Sequence, residues 1–200
     1  MDLIDLFIDP SLEDDSGVSA IATVDEPAHN SGFHAFNKNK GLKKHIIHLA
    51  SKKGDLKPVE GEQQMLYGAF LIPDIEIPRI DENGKQYNVR FTKEQVKLIS
   101  EKWALRNINT KLNEMHNNEL PLDGGVVQHF IIDSKNGITS PFNMDFVDGV
   151  WAGFIKVLDK DKYDAFIKTG IYTGFSVEGM FYEKPVQDEF LADLEKVLNK

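Results

Sequence analysis

The stretch GFSVEGMFY, residues 174–182, admits little other than a β-strand. Phe175, Val177 and Phe181 alternate with Ser176, Glu178, Met180 and Tyr182, and a two-residue period sends the two sets to opposite faces. The aromatic set needs a core. The face carrying the serine is then expected to look onto a groove or onto solvent, with Gly174 and Gly179 leaving room for an approaching backbone. A serine hydroxyl there is a poor nucleophile until a base takes its proton.

Six histidines could supply that base: His29, His34, His45, His48, His116 and His129. His116 follows the apolar-periodic segment NINTKLNEM and precedes the polar, turn-prone NNELPLDGG, a strand end of the kind on which scaffolds hold functional side chains. From spacing alone the choice among the six stays open, because serine–histidine pairs carry little specificity in sequence.

The rest of the chain tells what such a strand can pack into. Alternating segments recur near 65–72, 109–116, 125–132 and 149–157, and an Asn-Gly turn at 83 and 84 is followed by alternating Tyr87, Val89 and Phe91, the mark of a hairpin. Thr92, with Gln95 three residues on, predicts a helix start; Val96, Ile99 and Trp103 share its apolar stripe. A shorter helix is expected near 160–169, closed by Gly170. Strands outnumber helices and do not alternate strictly with them. The expectation is therefore a mainly β fold with α (α+β), a closed or strongly curved antiparallel β-barrel with helices outside. Three regions follow: an N-terminal strand and basic linker arm over 1–64, a core over 65–184, and a C-terminal amphipathic helix over 185–200 that could lead into a further segment.

Composition excludes several classes. Zero cysteines rule out disulfides, thiolate metal sites and a cysteine nucleophile. No apolar run approaches the roughly 18 residues of a membrane span, and MDLIDLFIDP is acidic where a secretory signal is basic, so an intracellular protein is expected. A formal charge of −9 argues against a general nucleic-acid binder. The one basic tract, Asn37 to Lys57, reads as a solvated connector with room for a short amphipathic helix. His45 and His48 within it have no third ligand of matching spacing, so neither a metal nor an organic cofactor is expected.

Several of these segments together carry a resemblance. MHNNELPLDGGVVQHFIID, then DGVWAGFIKV, then DKYDAFIKTGIYTGFSVEGMF resemble the phage prohead (capsid-maturation) serine proteases: a histidine closing a strand, a following VV-containing strand, a Gly-x-Trp step, an acid-led helix, and a Lys-x-Gly-x-x-x-Gly-aromatic-Ser-hydrophobic-x-Gly run. YGAFLIPDIEIPRIDENG and TVDEPAHNSGF extend the likeness over most of residues 18 to 182. The resemblance implies a herpesvirus-protease-like (assemblin-like) β-barrel wrapped by helices. It implies His116 as base and Ser176 as nucleophile, whereas His129 stands where relatives often carry serine. For the acid that orients the histidine, two positions stay open: Asp81, where related proteases carry an acidic residue before the helix, and Glu178, on the expected face of Ser176.

The function implied is a prohead endopeptidase in the host cytoplasm, inside the procapsid. It would cut scaffold or capsid-protein segments and itself, with the major capsid protein and scaffold protein as substrates. The alternative is a catalytically inactive capsid scaffolding or assembly protein of the same fold. Val186, Phe190, Leu194 and Val197 fall at helical spacing and would form an apolar stripe suited to a homodimer or a scaffold helix. If that stripe mediates association, truncation after Pro185 shifts sedimentation toward a smaller species; an unchanged profile would show that the helix packs on its own domain.

Overall fold

The computed structural model describes residues 2–25, 41–48, 57–59, 64–81 and 83–186; the amphipathic stripe expected beyond 186 lies outside them. In chain order the elements are β1 (Asp2–Phe7), β2 (Gly17–Val24), β3 (Leu42–His48), β4 (Lys57–Pro58), β5 (Met65–Leu71), β6 (Ile77–Ile80), β7 (Gln86–Arg90) and α1 (Lys93–Leu105). There follow β8 (Leu112–Glu114), β9 (Asn117–Pro121), β10 (Gly124–Ile131), β11 (Trp151–Val157), the short α2 (Lys160–Lys162) running into a π-helical turn over Tyr163–Ile167, and β12 (Gly174–Pro185). Pro185, expected to open a helix, is the last residue of β12, and the Val186 N–H continues the pairing by donating to Leu3 O. No helix among the described residues is long and apolar enough to cross a membrane.

Two sheets carry the fold. The larger runs β6-β7-β1-β12-β2-β8-β9, with β3 also paired to β12; the smaller runs β10-β11-β5-β4. The expected closed barrel does not form: the sheets are not closed into a barrel, and the fold is sheet-rich with few helices rather than wrapped by them. Nor is the pairing wholly antiparallel, since β1–β7 and β2–β8 are parallel. The reason is physical. Alternation along a strand states that one face must be buried, and two stacked sheets meet that demand as fully as a closed cylinder.

β12 is the axis of the larger sheet. Ser176 pairs with Ala22 on one side and His48 on the other, and Tyr182 pairs with Phe7 and Leu42 in the same way. β1 and β2 therefore lie end to end along one edge of β12, and β3 fills the other. The segment LKKHIIH, read above as a connector with room for a helix, is thus a core strand: His45 and Ile47 are buried in it. The N-terminal region supplies the three strands paired to β12, two of which, β2 and β3, flank the serine. Gly179 is needed for this packing rather than for substrate access, because a Cβ there would come within 2.3 Å of Gly17 O on β2.

The core lies between the sheets and under α1. Phe70 of β5 meets Phe175 of β12 at 5.3 Å between ring centroids and Trp151 of β11 at 5.2 Å, while Trp103 of α1 meets Trp151 at 5.9 Å. Each such side chain, fully buried, stabilises the fold by about 1.5–3 kcal/mol. Thr92 caps α1 as expected, its Oγ1 accepting from Gln95 N–H. The Gln95 side chain does not close a capping box; its Oε1 accepts from Ile8 N–H and ties α1 to the end of β1.

The excursion between β1 and β2 is pinned to the same helix. Lys102, buried, donates to Asp9 O at 2.6 Å, and its Nζ lies 3.6 Å from Asp14 Oδ1. Burial opposes ionisation of Asp14. Hydrogen bonds from the Ser16 and Tyr182 hydroxyls and from Ser16 N–H, with the Lys102 ammonium, outweigh it and hold the carboxyl at about 2. A depressed acid of this kind stabilises the fold above its unfolded value near 3.8, and the contribution is lost as pH falls toward 2. Lys102→Ala removes a buried ammonium together with its bonds to Asp9 O and Ser16 and its contact with Asp14, and should cost about 2 kcal/mol in urea unfolding; a change below about 0.5 kcal/mol would show the loop to be held by other means.

Candidate active site

Four strands bring the site together. The register sets His48, Ser176, Ala22 and Asn113 in one row across β3, β12, β2 and β8. Ala22, a single methyl between Ser176 and Asn113, leaves space above the sheet face. Into that space folds the β8–β9 hairpin, in which Glu114 pairs with Asn117 across a two-residue turn.

The turn is unusual in its residues. Met115 and His116 have φ of 52° and 57°. Positive φ at both central positions is the pattern of a type I′ turn, which matches strand twist and ordinarily draws Asn and Gly. A side chain with a Cβ costs roughly 1–2 kcal/mol at each such position, and local strain of this sort is characteristic of functional sites. NNELP, read above as a loop, is β9, so His116 sits at a hairpin tip and not at a strand end.

From that tip, His116 Nε2 lies 2.8 Å from Ser176 Oγ, across sixty positions of sequence. The pair named from the sequence is therefore in hydrogen-bond contact. One expectation about it fails: Ser176 faces neither a groove nor solvent but is fully buried. Its Oγ also donates to Ile47 O on β3 at 2.6 Å. A hydroxyl has one proton, so the β3 carbonyl and the imidazole compete for it. While the proton points to Ile47 O, Nε2 can contact Oγ only as a donor; the base-competent arrangement needs the proton turned toward an unprotonated Nε2.

Burial pushes His116 down to about 4, and the nearby Lys44 ammonium adds to the shift. The imidazole is thus neutral across the physiological range, the charge state a proton acceptor needs.

The two acids considered for orienting His116 are placed elsewhere. Asp81 stands in the β6–β7 turn, where its Oδ1 accepts from Asn83 and Lys85 N–H. β7 and β1 intervene between its strand and β12. Glu178 lies close to the pair but faces other partners. Its Oε1 accepts from Asn113 Nδ2 at 2.8 Å, and its Oε2 is 3.3 Å from Lys44 Nζ. Asn113 and Lys44 escaped the sequence reading. Asn113 carried one sequence signal, a carboxamide in an expected strand three residues before His116. His129 accepts from Trp151 Nε1–H at 3.1 Å and serves the core. Among the described residues no group of three or more His, Cys, Asp or Glu side chains is placed to hold a metal ion.

A depressed histidine has a signed consequence. The unfolded imidazole takes a proton near 6.5 and the folded one near 4, so stability falls as pH drops through that window. The His116 ring resonance should titrate near 4, and Lys44→Gln should raise the midpoint by removing a like charge. A midpoint near 6.5 in the folded protein would contradict the burial described.

Comparison of the chain with protein-family models, with curated proteins and with solved structures finds no match. The functional reading accordingly rests on the geometry of Ser176 and His116 and on the motifs that surround them.

Proposed function

We propose that the chain is a serine endopeptidase in which Ser176 is the nucleophile and His116 the general base. The observation that carries the reading is the 2.8 Å contact between His116 Nε2 and Ser176 Oγ, made by a neutral imidazole on a strained turn. As Oγ bonds to a peptide carbonyl carbon, Nε2 takes its proton; the same proton then passes to the leaving amine as the C–N bond breaks. Water, deprotonated by His116 in turn, adds to the ester carbonyl carbon, and the proton passes to Ser176 Oγ as the C–Oγ bond breaks and the new carboxyl end leaves. Attack requires that the Ser176 proton leave Ile47 O and that the cover over Ser176 open to admit the substrate.

The motif resemblance narrows the class to a prohead protease of phage capsid maturation. Its substrates would be scaffold and capsid-protein segments, and itself, within the procapsid in the host cytoplasm. One observation favours the second reading, an inactive scaffolding or assembly protein: Ser176 is wholly buried and its proton has a carbonyl acceptor besides His116.

Incubation with the neighbouring capsid and scaffold proteins, followed by sequencing of new termini, separates the two. Under the protease reading, cleavage appears and Ser176→Ala or His116→Ala lowers its rate on the order of 10⁴-fold or more. Both variants should remain folded, because neither removes much apolar burial. A fluorophosphonate should label Ser176 alone. Processing that survives Ser176→Ala would eliminate the assignment, and absence of both cleavage and labelling in the intact protein would leave the assembly role.

A further inference from the structure

Glu178 is a buried carboxylate two residues from the nucleophile, and the mechanism above does not use it. Its shorter side-chain contact, 2.8 Å, is with Asn113, itself buried, three residues before His116. That bond crosses from β12 to β8 over β2, the strand between them. It is thus a side-chain tie between the strand that carries the nucleophile and the hairpin that carries the base. Backbone pairing joins β8 to β2 over Leu112 to Glu114, with flanking bonds at Lys111 O and Met115 N–H, and does not itself reach β12. Other ties on the hairpin, Met115 N–H to Thr23 O and Tyr172 O–H and Lys162 to Glu114, reach β2 and the segment after β11; none of these reaches β12. Asn113 Nδ2 also approaches Asn118 Oδ1 at 3.3 Å, so the same carboxamide touches the returning strand.

We propose that Glu178 is a positioning residue: through Asn113 it fixes the β8–β9 hairpin over β12 and so sets the distance between His116 and Ser176. The proposal rests on the protease reading for its kinetic consequence, but the tie itself is a property of the fold. On the other side of the carboxylate, Lys44 Nζ at 3.3 Å supplies the counter-charge that a buried acid requires. The charged groups of the described residues that face this corner are Lys44 from β3 and Glu178 from β12; Asn113 from β8 is neutral.

The chemistry of the tie dictates the variants. Glu178→Ala removes the acceptor, Glu178→Gln keeps an oxygen for Asn113 while removing the charge, and Asn113→Ala removes the donor. A displacement of about 1 Å at a reacting pair costs on the order of a hundredfold in rate. Glu178→Ala and Asn113→Ala should therefore each lower kcat by roughly 10- to 100-fold with KM little changed. Glu178→Gln should recover most of that loss, and the double Ala variant should lose no more than either single one, because both break the same tie. A loss confined to KM, multiplicative losses in the double variant, or a Glu178→Ala protein with wild-type kcat would overturn the proposal.

Amide exchange of residues 114–118 in the full chain supplies a readout independent of turnover. It should accelerate in Glu178→Ala and stay near wild type in Glu178→Gln. If the intact protein neither cleaves nor reacts with a fluorophosphonate, the protease reading fails while this exchange comparison still decides the tie. Unchanged exchange in Glu178→Ala removes the proposal whatever the activity. Should Glu178→Ala not fold, Asn113→Ala and Glu178→Gln carry the same comparison.

Discussion

The structure depends on β12 being hydrogen-bonded along both edges. A twelve-residue strand with β1 and β2 end to end on one side and β3 on the other has few free backbone groups and no freedom of register. Slipping it by one residue would exchange Phe175, Val177 and Phe181 for Ser176, Glu178 and Met180 at the core. Everything placed relative to β12 inherits that precision. The Oγ of Ser176 is located by the pairing of its strand, the Ile47 carbonyl by the adjacent one, and Asn113 by the strand two places away.

The same constraint explains the polarity of the corner around the serine. Ser176, Glu178 and Asn113 are all buried, whereas the sequence pattern directs the face of Ser176 and Glu178 to a groove or to solvent. Buried polar groups are tolerated where each finds a partner. Here the hydroxyl meets a carbonyl and an imidazole, and the carboxylate meets a carboxamide and an ammonium. On the opposite face of β8, Glu114 is likewise enclosed, accepting from Tyr172 O–H at 2.8 Å and from Lys162. The hairpin that carries His116 is therefore gripped from both faces of its first strand.

Much of this was legible in the sequence, and the exceptions have causes. The strands over 65–71, 124–131 and 151–157, the first nine residues of that over 174–185 and the helix over 93–105 follow from period and capping, while the extension of the last strand to Pro185 does not. His116 and Ser176 were reached from motifs, since no local pattern reports a contact across sixty residues. LKKHIIH was misread because its lysines suggested solvent, although His45 and Ile47 already stood two apart on what became an inner face. The closed barrel was misread because alternation says nothing of which edges meet. Asp81 looked suitable by position in the chain, but an Asx-type turn uses its carboxylate locally. Glu178 was correctly seen on the face of Ser176; that its oxygens turn toward β8 and β3 depends on pairing no single strand encodes.

All three strands that flank β12 precede it in the chain, by more than a hundred positions in each register. Until residues 174–185 have been synthesised, β1, β2 and β3 have no central strand to pair with, and the hairpin bearing His116 has nothing to close upon. Topology dominated by such distant pairings folds slowly compared with local structure. A nascent chain thus holds His116 and later Ser176 but not their contact, which forms only when β12 closes the sheet. Under the proposed protease reading, the order of the strands imposes a delay between translation and any cleavage of assembly partners.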